Sequence, residues 1–428
     1  MAKRSNKRSL VVFALALAAA FLTGCQNDNE TEPDVTSSGE ESAKFEISQS
    51  VTDIGIGDDD MTDGGEETFI PKLLMDTDKP FVRAEDNYII EKQDIDLSKL
   101  DEYNCREFHD GKLYYSSFAS YENSGSKAEI WAYDIKSGEF TTFYSEEPEA
   151  EGVWVDLDIR LIDKAYLYFY REAFQTGTED MPFQLLGREL YMVDLRDNNV
   201  EKIFSYADEE VMPSGSSVTA AGDILYIPTI HEALNDYRFM IFQYDMNTGE
   251  ASLFRDYADY PVPYNNGIVY YHDNGFYYHG ETSDIKGKGV FYEGDELLFN
   301  SGFVGIHEDI VSDFGLETLL YCCADETENA ISAGVDLGVL DKDFNKELIA
   351  HTKKGTWTMM LGDISTSGLV SVIAPKPLIY DLNKECFALI PIDFEDYYFY
   401  AGDDEVCFLG YEWGNDSAVL YTVRRNGE

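Results

Sequence analysis

Positive charge is the scarcest property of this chain. Its 428 residues include 32 Lys and Arg against 82 Asp and Glu, and the formal net charge is -50. Such an excess of carboxylates excludes nucleic acid as a partner, because the phosphates would be repelled. It also argues against adsorption onto anionic lipid through a basic surface. The charge favours solubility, and it suits a basic partner or divalent cations.

Paired cysteines are missing as well. The sequence contains no C-x-x-C and no metal-ligand spacing among its six cysteines. They are Cys25, Cys105, Cys322, Cys323, Cys386 and Cys407. Four of them lie in apolar, strand-like runs, which predicts small buried hydrophobic side chains.

The common catalytic motifs are absent too. The six histidines form no H-E-x-x-H, and neither a G-x-S-x-G elbow nor a P-loop occurs. Asp58–Gly64 superficially resembles a calcium loop, but Thr62 and Asp63 stand where a ligand and a glycine are needed. We therefore predict no cofactor and name no catalytic residue. A carboxylate pair of a glycosidase or lyase would be invisible among so many acids.

What the chain does contain is a repeated strand–turn–strand pattern. It is clearest in Glu129–Phe143, where apolar and aromatic residues alternate before a Lys-Ser-Gly turn. The pattern recurs, with weaker copies last, at Leu190–Leu195, Phe242–Met246, Val339–Asp343 and Leu378–Lys384. A repeat of roughly 40–60 residues built from short strands is typical of a β-propeller.

We count about seven four-stranded units. They run from about Cys105 to Ser145, Gly152 to Tyr206, Met212 to Tyr257, Tyr264 to Gly302, Phe303 to Lys353, Thr356 to Ile392, and from Tyr397 onwards. The last unit has three strands, and the orphan strand Asn87–Ile95 is available to supply the fourth. Because an open sheet edge pairs with other chains, this strand is predicted to close the ring.

The predicted fold class is therefore an all-β propeller whose N-terminal strand completes the last blade. The alternatives are an open sandwich or two smaller β domains. No proline-rich break follows Thr68, and no amphipathic helical stretch of useful length appears. From Asn87 to Glu428 the repeats resemble exported bacterial propellers of the TolB-like and WD- or kelch-type superfamily. The resemblance implies the fold, since the WD dipeptide and the kelch Gly-Gly pair do not recur.

The N-terminus resembles a bacterial lipoprotein signal. Lys3, Arg4, Lys7 and Arg8 precede the apolar run Leu10–Leu22, which at about 13 residues is too short to span a bilayer. The run ends in Leu22-Thr23-Gly24-Cys25, the lipobox pattern. The resemblance implies cleavage before Cys25 and lipidation of its sulfur, which would anchor the protein on the extracytoplasmic face of the cell membrane. Scattered cysteines fit a Gram-positive surface, where disulfides form inefficiently.

These signals divide the chain into three parts. Residues 1–24 form the signal peptide, and residues 25–67 form a lipidated, disordered and acidic tether. Residues 68–428 form the propeller.

Candidate ligand-binding residues follow from the propeller resemblance, which implies that the second strands of the blades end at one mouth of the channel. The residues placed there are Arg171, His231, His279, Glu412 and Trp413. The insertion Ala173–Gly187 is predicted to be a recognition loop on the same face. The predicted function is a non-catalytic binding or scaffold module for a surface protein, peptide or glycan. The alternatives are a propeller glycoside hydrolase or polysaccharide lyase, and a sensory or solute-binding partner of a membrane system.

Overall fold

A computed structural model describes the folded part of the chain. The described residues are 75–96, 105–120, 126–163, 165–178, 181–206, 211–214, 218–233, 236–272, 275–280, 291–292, 295–300, 304–305, 319–323, 336–341, 343, 345–352, 360–365, 367–373, 377–392, 397–402, 404–411 and 417–427. The predicted signal peptide, Cys25 and the acidic tether lie outside them.

The strands form seven sheets, which are the blades of a β-propeller and are antiparallel except for one added edge strand. Before the first blade come β1 (Met75–Asp76), β2 (Phe81–Arg83), the one-turn helix α1 (Ala84–Asn87) and β3 (Tyr88–Asp96). Blade 1 and its connections contain β4 (Cys105–His109), β5 (Lys112–Ser116), β6 (Phe118–Ser120), β7 (Ala128–Asp134) and β8 (Phe140–Glu146). Blade 2 contains β9 (Val153–Asp163), β10 (Tyr166–Thr178), β11 (Met181–Asp194) and β12 (Asn199–Ser205).

The middle blades continue the same order. Blade 3 contains β13 (Val211–Pro213), β14 (Thr219–Ala221), β15 (Ile224–Ala233), β16 (Asp236–Asp245) and β17 (Glu250–Asp256). Blade 4 contains β18 (Ala258–Tyr264), β19 (Gly267–His272), β20 (Gly275–His279), β21 (Phe291–Tyr292) and β22 (Asp295–Asn300). Blade 5 contains β23 (Val304–Gly305), β24 (Leu319–Cys323), β25 (Asp336–Leu340) and β26 (Lys346–Thr352).

The last two blades complete the ring. Blade 6 contains β27 (Met360–Ile364), β28 (Leu369–Ile373), β29 (Leu378–Asp381) and β30 (Cys386–Leu389). Blade 7 contains β31 (Tyr397–Ala401), β32 (Glu405–Tyr411) and β33 (Ser417–Arg425), and β3 is its fourth strand. The predicted closure is confirmed, because β3 pairs antiparallel with β33 from Tyr88 opposite Arg425 to Asp96 opposite Ser417.

The segment before β3 adds strands to two further blades. β1 pairs antiparallel with β26 at the edge of blade 5, and β2 pairs parallel with β30 at the edge of blade 6. The Phe81 ring stacks on Phe387 at 5.3 Å, and Lys79 bridges Glu347 and Glu385 on the two blades. Residues 75–96, which we call the strap, therefore run along the outer strands of blades 5, 6 and 7.

The repeated pattern in the sequence corresponds to one recurring turn between the third and fourth strands. An aspartate ends the third strand or directly follows it, and its Oδ1 accepts backbone N–H groups two to four residues later. These aspartates are Asp134, Asp194, Asp245, Asp341 and Asp381. Four residues after Asp134 and Asp245, Gly138 and Gly249 adopt φ near +71° and +72°, where a side chain would be strained.

The core lies between the blades. On β7, Ala128, Ile130 and Ala132 are buried while the residues between them are less so, which is the alternation of a strand. Apolar clusters join neighbouring blades, and one packs Tyr168 and Tyr170 of blade 2 against Leu225 and Ile227 of blade 3. Aromatic residues in these clusters therefore pack between blades.

Two boundaries differ from the sequence prediction. Blade 4 begins at Ala258 and not at Tyr264. Its first strand, β18, includes Pro261 and Pro263. Prolines argue against a central strand, yet an edge strand that pairs on one side tolerates them. The predicted recognition loop Ala173–Gly187 is, in its described part, an extension of β10 and β11, with Ala173 opposite Gly187 in the pairing.

Two further features of the described residues concern the cysteines and the length of the helices. Cys386 and Cys407 are free and buried, as expected of small apolar side chains. Within the described segments, no helix has the length and apolar character needed to cross a membrane.

Candidate functional site

Arg171 on β10 is held between two blades. Its guanidinium donates to both carboxylate oxygens of Glu146 in blade 1, at 2.7 and 2.5 Å, and to Glu189 at 2.9 Å. Tyr144 also donates to Glu146, at 2.8 Å. Burial alone raises the pKa of Glu146, but the hydrogen bonds from Arg171 and Tyr144 outweigh it and leave the pKa below its usual value. Arg171 therefore joins blades 1 and 2.

The next residue of the strand, Glu172, faces the opposite way, toward blade 3. Arg188 on β11 is 9% exposed and donates to Glu172 and, at 3.0 Å, to the carbonyl of Val211. Val211 opens the first strand of blade 3. The Arg188 guanidinium thus connects blade 2 to blade 3 and holds Glu172 in a fixed position.

A cavity of about 220 Å³ lies beside this ion pair, between blades 2 and 3. Its described lining residues are Asp156, Asp158, Arg160, Tyr170, Glu172, Arg188, Met212 and Pro213. Asp158 accepts from Arg160 at 2.9 Å, and the Arg160 guanidinium lies over the Tyr170 ring at 5.2 Å. Burial raises the pKa of Tyr170 to about 12, so the phenol is neutral. The cavity wall is polar, charged and formed largely by paired strands.

The strand register aligns four side chains in one row across blade 2. Phe118 on β6 lies opposite Asp156 on β9, Asp156 lies opposite Glu172 on β10, and Glu172 lies opposite Arg188 on β11. Residues opposite one another in paired strands project from the same face, with Cβ atoms about 5 Å apart. We call Phe118–Asp156–Glu172–Arg188 the charged row.

The charged row ends in one exposed aromatic ring, that of Phe118, and a second exposed ring, that of Trp154, lies beside it. Phe118 is 44% exposed and Trp154 is 37% exposed. Their rings are nearly parallel, with centroids 6.4 Å apart and planes 14° apart. Trp154 is two residues before Asp156 on β9, so both side chains lie on one face of the strand. The cavity therefore has an aromatic border on the side of β6.

The structure places the ligand-binding residues predicted from the sequence in different parts of the propeller. His231 lies near the end of β15, the second strand of blade 3, opposite Val211, whose carbonyl accepts from Arg188. His279 ends β20, the third strand of blade 4, and pairs with Ile268 at the start of β19. His279 is therefore at the opposite end of its blade, and its placement at a second-strand end was wrong. The second-strand end of blade 4 is His272.

The remaining candidates are distributed as follows. Glu412 and Trp413, like Cys25, lie outside the described residues. Arg171 and His231 lie on second strands, but Arg171 is in the middle of β10 and not at its end. It contacts blade 1 and does not line the cavity.

The residues of the charged row were not identified from the sequence. A signal for them exists in β9, where Val155, Leu157 and Ile159 are buried and the intervening positions are Trp154, Asp156, Asp158 and Arg160. Charged residues that alternate with buried apolar residues along one strand indicate that one face of that strand borders a polar space.

The described residues also define what the site does not contain. Among them, no three His, Cys, Asp or Glu side chains are arranged to hold a metal ion.

This chain has distant likenesses among solved structures. No protein-family model and no curated protein matches this sequence. An oligogalacturonate lyase in complex with manganese is 13% identical, with a TM-score of 0.49 over 83% of this chain and 97% of that chain. The β-propeller domain of the Trilobed protease from Pyrococcus furiosus is 12% identical, with a TM-score of 0.44 over 75% and 92% of the two chains. Polysaccharide lyase Uly1 is 11% identical, with a TM-score of 0.41 over 76% and 90%.

These likenesses are too distant to carry an argument about function. The propeller assignment rests on the seven sheets of this chain and on the pairing of β3 with β33.

Proposed function

We propose that this protein is a lipid-anchored, extracytoplasmic propeller that binds a surface protein, a peptide or a glycan without chemically changing it. The observation that supports a binding role is the charged row beside the cavity between blades 2 and 3. Ligand sites combine a concave surface with a few fixed polar groups and aromatic side chains, and this cavity has all three.

The site is pre-organised. Asp156, Glu172 and Arg188 project from three paired strands, and Arg188 is buried against Glu172 and the Val211 carbonyl. Groups that are already fixed lose little conformational entropy when a ligand binds, so their contacts contribute more fully to affinity. With about 220 Å³, the cavity accommodates a side chain or one sugar unit of a larger ligand.

The binding role is tested with the full chain carrying Cys25→Ala, so that it is obtained without the proposed anchor. Peptide and glycan arrays identify a ligand, and titration gives its Kd. Trp154→Ala is expected to weaken binding about tenfold, because it removes an aromatic contact at the rim of the cavity. Phe140→Ala is the matched control, since Phe140 is 40% exposed but lies on the outer strand of blade 1.

Three results would overturn the binding role. One is equal affinity of the Trp154→Ala and Phe140→Ala variants for every array ligand, and another is that no array ligand binds at all. The third is turnover of a polysaccharide by the purified chain, which would favour the hydrolase or lyase alternative.

The anchor is tested separately by fractionating cells that express the natural chain or Cys25→Ala. Two or three acyl chains hold a protein stably at a membrane, at about 0.8 kcal/mol per buried CH₂. The natural chain is expected in the membrane fraction and the variant in the soluble fraction. A variant that remains with the membrane would show that Cys25 is not the anchor.

A further inference from the structure

We propose that exposed apolar side chains beside the charged row bind a neutral oligosaccharide, whose sugar rings stack on aromatic rings of blade 2. This inference rests on the proposed binding function and specifies its ligand class. The contact surface consists of Trp154, Phe174 and Leu185, which we call the apolar row, together with the ring of Phe118.

The apolar row is formed by strand register. Trp154 on β9 lies opposite Phe174 on β10, and Phe174 lies opposite Leu185 on β11. Because residues opposite one another in paired strands project from the same face, the three side chains lie side by side across three strands. At the usual spacing of neighbouring strands the row is about 10 Å long, which is enough for a short chain of sugar rings.

The apolar row is accessible from solvent. Trp154 is 37% exposed, and Phe174 and Leu185 are partly exposed. β10 and β11 continue past the end of their neighbour β12, so the row lies where blade 2 extends beyond its outer strand. The exposed Phe118 ring, nearly parallel to the Trp154 ring at 6.4 Å, enlarges the aromatic surface on the side of β6.

A ligand meets side chains at this surface and not a strand edge. Trp154 is flanked by Ser120 on β6 and by Phe174 on β10, and Phe174 is flanked in turn by Leu185 on β11. A peptide that binds by adding a strand requires an open edge, whereas paired strands lie on both sides of these two aromatic residues. The ring faces are therefore the principal contact that the apolar row provides.

The apolar row is also narrow. Asp156 follows Trp154 by two residues on β9, so a charged side chain lies beside that ring. Glu172 precedes Phe174 by two residues on β10 in the same way. The centre of a protein–protein interface is depleted of charged residues, because a partner that covers them must remove their water. A sugar ring has an apolar face of C–H groups and a border of hydroxyl groups, so it covers the aromatic rings and leaves the neighbouring charges hydrated.

The charge of the whole chain distinguishes between classes of glycan. The formal net charge is -50, so an acidic polysaccharide is repelled as it approaches. Stacking of a sugar on an aromatic ring requires no charge on the ligand. The apolar row therefore favours a neutral glycan.

The test titrates the full chain carrying Cys25→Ala, by calorimetry, with neutral hexasaccharides of glucose, mannose or N-acetylglucosamine and with an anionic hexagalacturonate. Trp154→Leu and Phe174→Leu keep an apolar side chain but remove the ring, and each is expected to weaken binding of a neutral hexasaccharide about fivefold. Trp154→Phe keeps a ring and is expected to change Kd less than about threefold. Phe140→Leu is the matched control on the outer strand of blade 1, with an expected change below about twofold.

The outcomes separate this inference from the binding function on which it rests. Binding of a neutral hexasaccharide that both row variants to leucine weaken, and that Trp154→Phe and Phe140→Leu retain, supports it. It is overturned if no neutral hexasaccharide binds, if hexagalacturonate binds more tightly, if either row variant to leucine binds like Phe140→Leu, or if Trp154→Phe loses as much affinity as Trp154→Leu. If Trp154→Ala still weakens an array ligand in those cases, only the glycan assignment fails. If Trp154→Ala and Phe140→Ala behave alike for every array ligand, the binding function itself fails.

Discussion

Asp381 and Arg425 form a buried ion pair where the last blade meets blade 6. The Asp381 side chain is fully buried and the Arg425 side chain is 3% exposed. Arg425 donates to both carboxylate oxygens, at 2.7 and 2.9 Å, and the Tyr88 hydroxyl donates to one of them at 3.1 Å. Tyr88 belongs to the strand that closes the ring, so three segments far apart in sequence meet at one carboxylate.

Removing the cation of this pair should be costly. We expect Arg425→Met to lower the free energy of unfolding by about 3–5 kcal/mol, because it leaves a buried carboxylate without its counter-charge. Arg424→Met is the control, since Arg424 is 42% exposed and its pairs with Glu91 and Glu405 should contribute less than about 1 kcal/mol. Urea denaturation measures both values, and equal losses would contradict this account of the pair.

The same pair predicts a pH dependence. Burial by itself raises the pKa of Asp381, but the hydrogen bonds and charge of Arg425 outweigh it and hold the pKa below its usual value. The folded pKa is thus lower than the unfolded value of about 3.9, so the stabilisation is complete above that pH and is lost as pH falls through the folded pKa.

Asp381→Asn provides the measurement. We expect the stability gap between the natural chain and this variant to be constant from pH 7 to pH 5 and to narrow below about pH 4. A gap that widens on acidification would show that the Asp381 carboxylate does not stabilise the fold in its charged form.

Local residue patterns were readable from the sequence, but long-range pairs were not. The aspartates that end the third strands, such as Asp134 and Asp245, belong to the repeat that predicted the propeller. The pairing of Asp381 with Arg425 could not be predicted. The chain has 82 Asp and Glu residues, and nothing in the sequence around Asp381 marks it as the partner of an arginine. The charged row was missed for the same reason, since register between strands brings its members together.

At the level of elements, the strap stabilises three blades from outside. β1 contains two residues, yet Met75 is 2% exposed and belongs to the core cluster that joins blades 4, 5 and 6. The Thr77 hydroxyl donates to the Ile349 carbonyl at 2.7 Å, and the Phe387 amide donates to the Pro80 carbonyl at 2.9 Å. These contacts bind the strap to the sheets beyond the pairing of β3.

Met75→Ala tests whether the strap contributes to the core. We expect it to lower the free energy of unfolding by about 2 kcal/mol or more, because it removes a buried side chain and leaves a cavity. Asp76→Ala, at the exposed neighbouring position, should change stability by less than about 0.5 kcal/mol. A Met75→Ala variant as stable as Asp76→Ala would show that β1 is not docked in solution.

Element boundaries show where sequence reasoning was weaker. The orphan strand was recognised because the final unit stopped one strand short, and β1 and β2 were missed because strands of two and three residues have no period. The long hairpin of β10 and β11 was interpreted as a loop, although Phe174 lies opposite Leu185 in its continuing ladder. Gly187 lies beside the register shift in the pairing of β10 with β11. It interrupts the alternation of apolar and polar residues by which a strand is predicted.

For the whole molecule, closure of the ring and the binding site are in different places. The strap and β3 lie on blades 5, 6 and 7, whereas the cavity lies between blades 2 and 3. The rigidity of the charged row depends on the ring, because each blade packs against its neighbours.

Ring closure by β3 is the claim on which this architecture depends most. Amide hydrogen exchange of the intact chain measures it directly at Tyr88–Asp96. Because β3 pairs on one side, every second amide donates to β33, and we expect those amides to exchange as slowly as the amides of β32. Exchange of all β3 amides at the rate of an unstructured peptide, with β32 still protected, would contradict the closed ring.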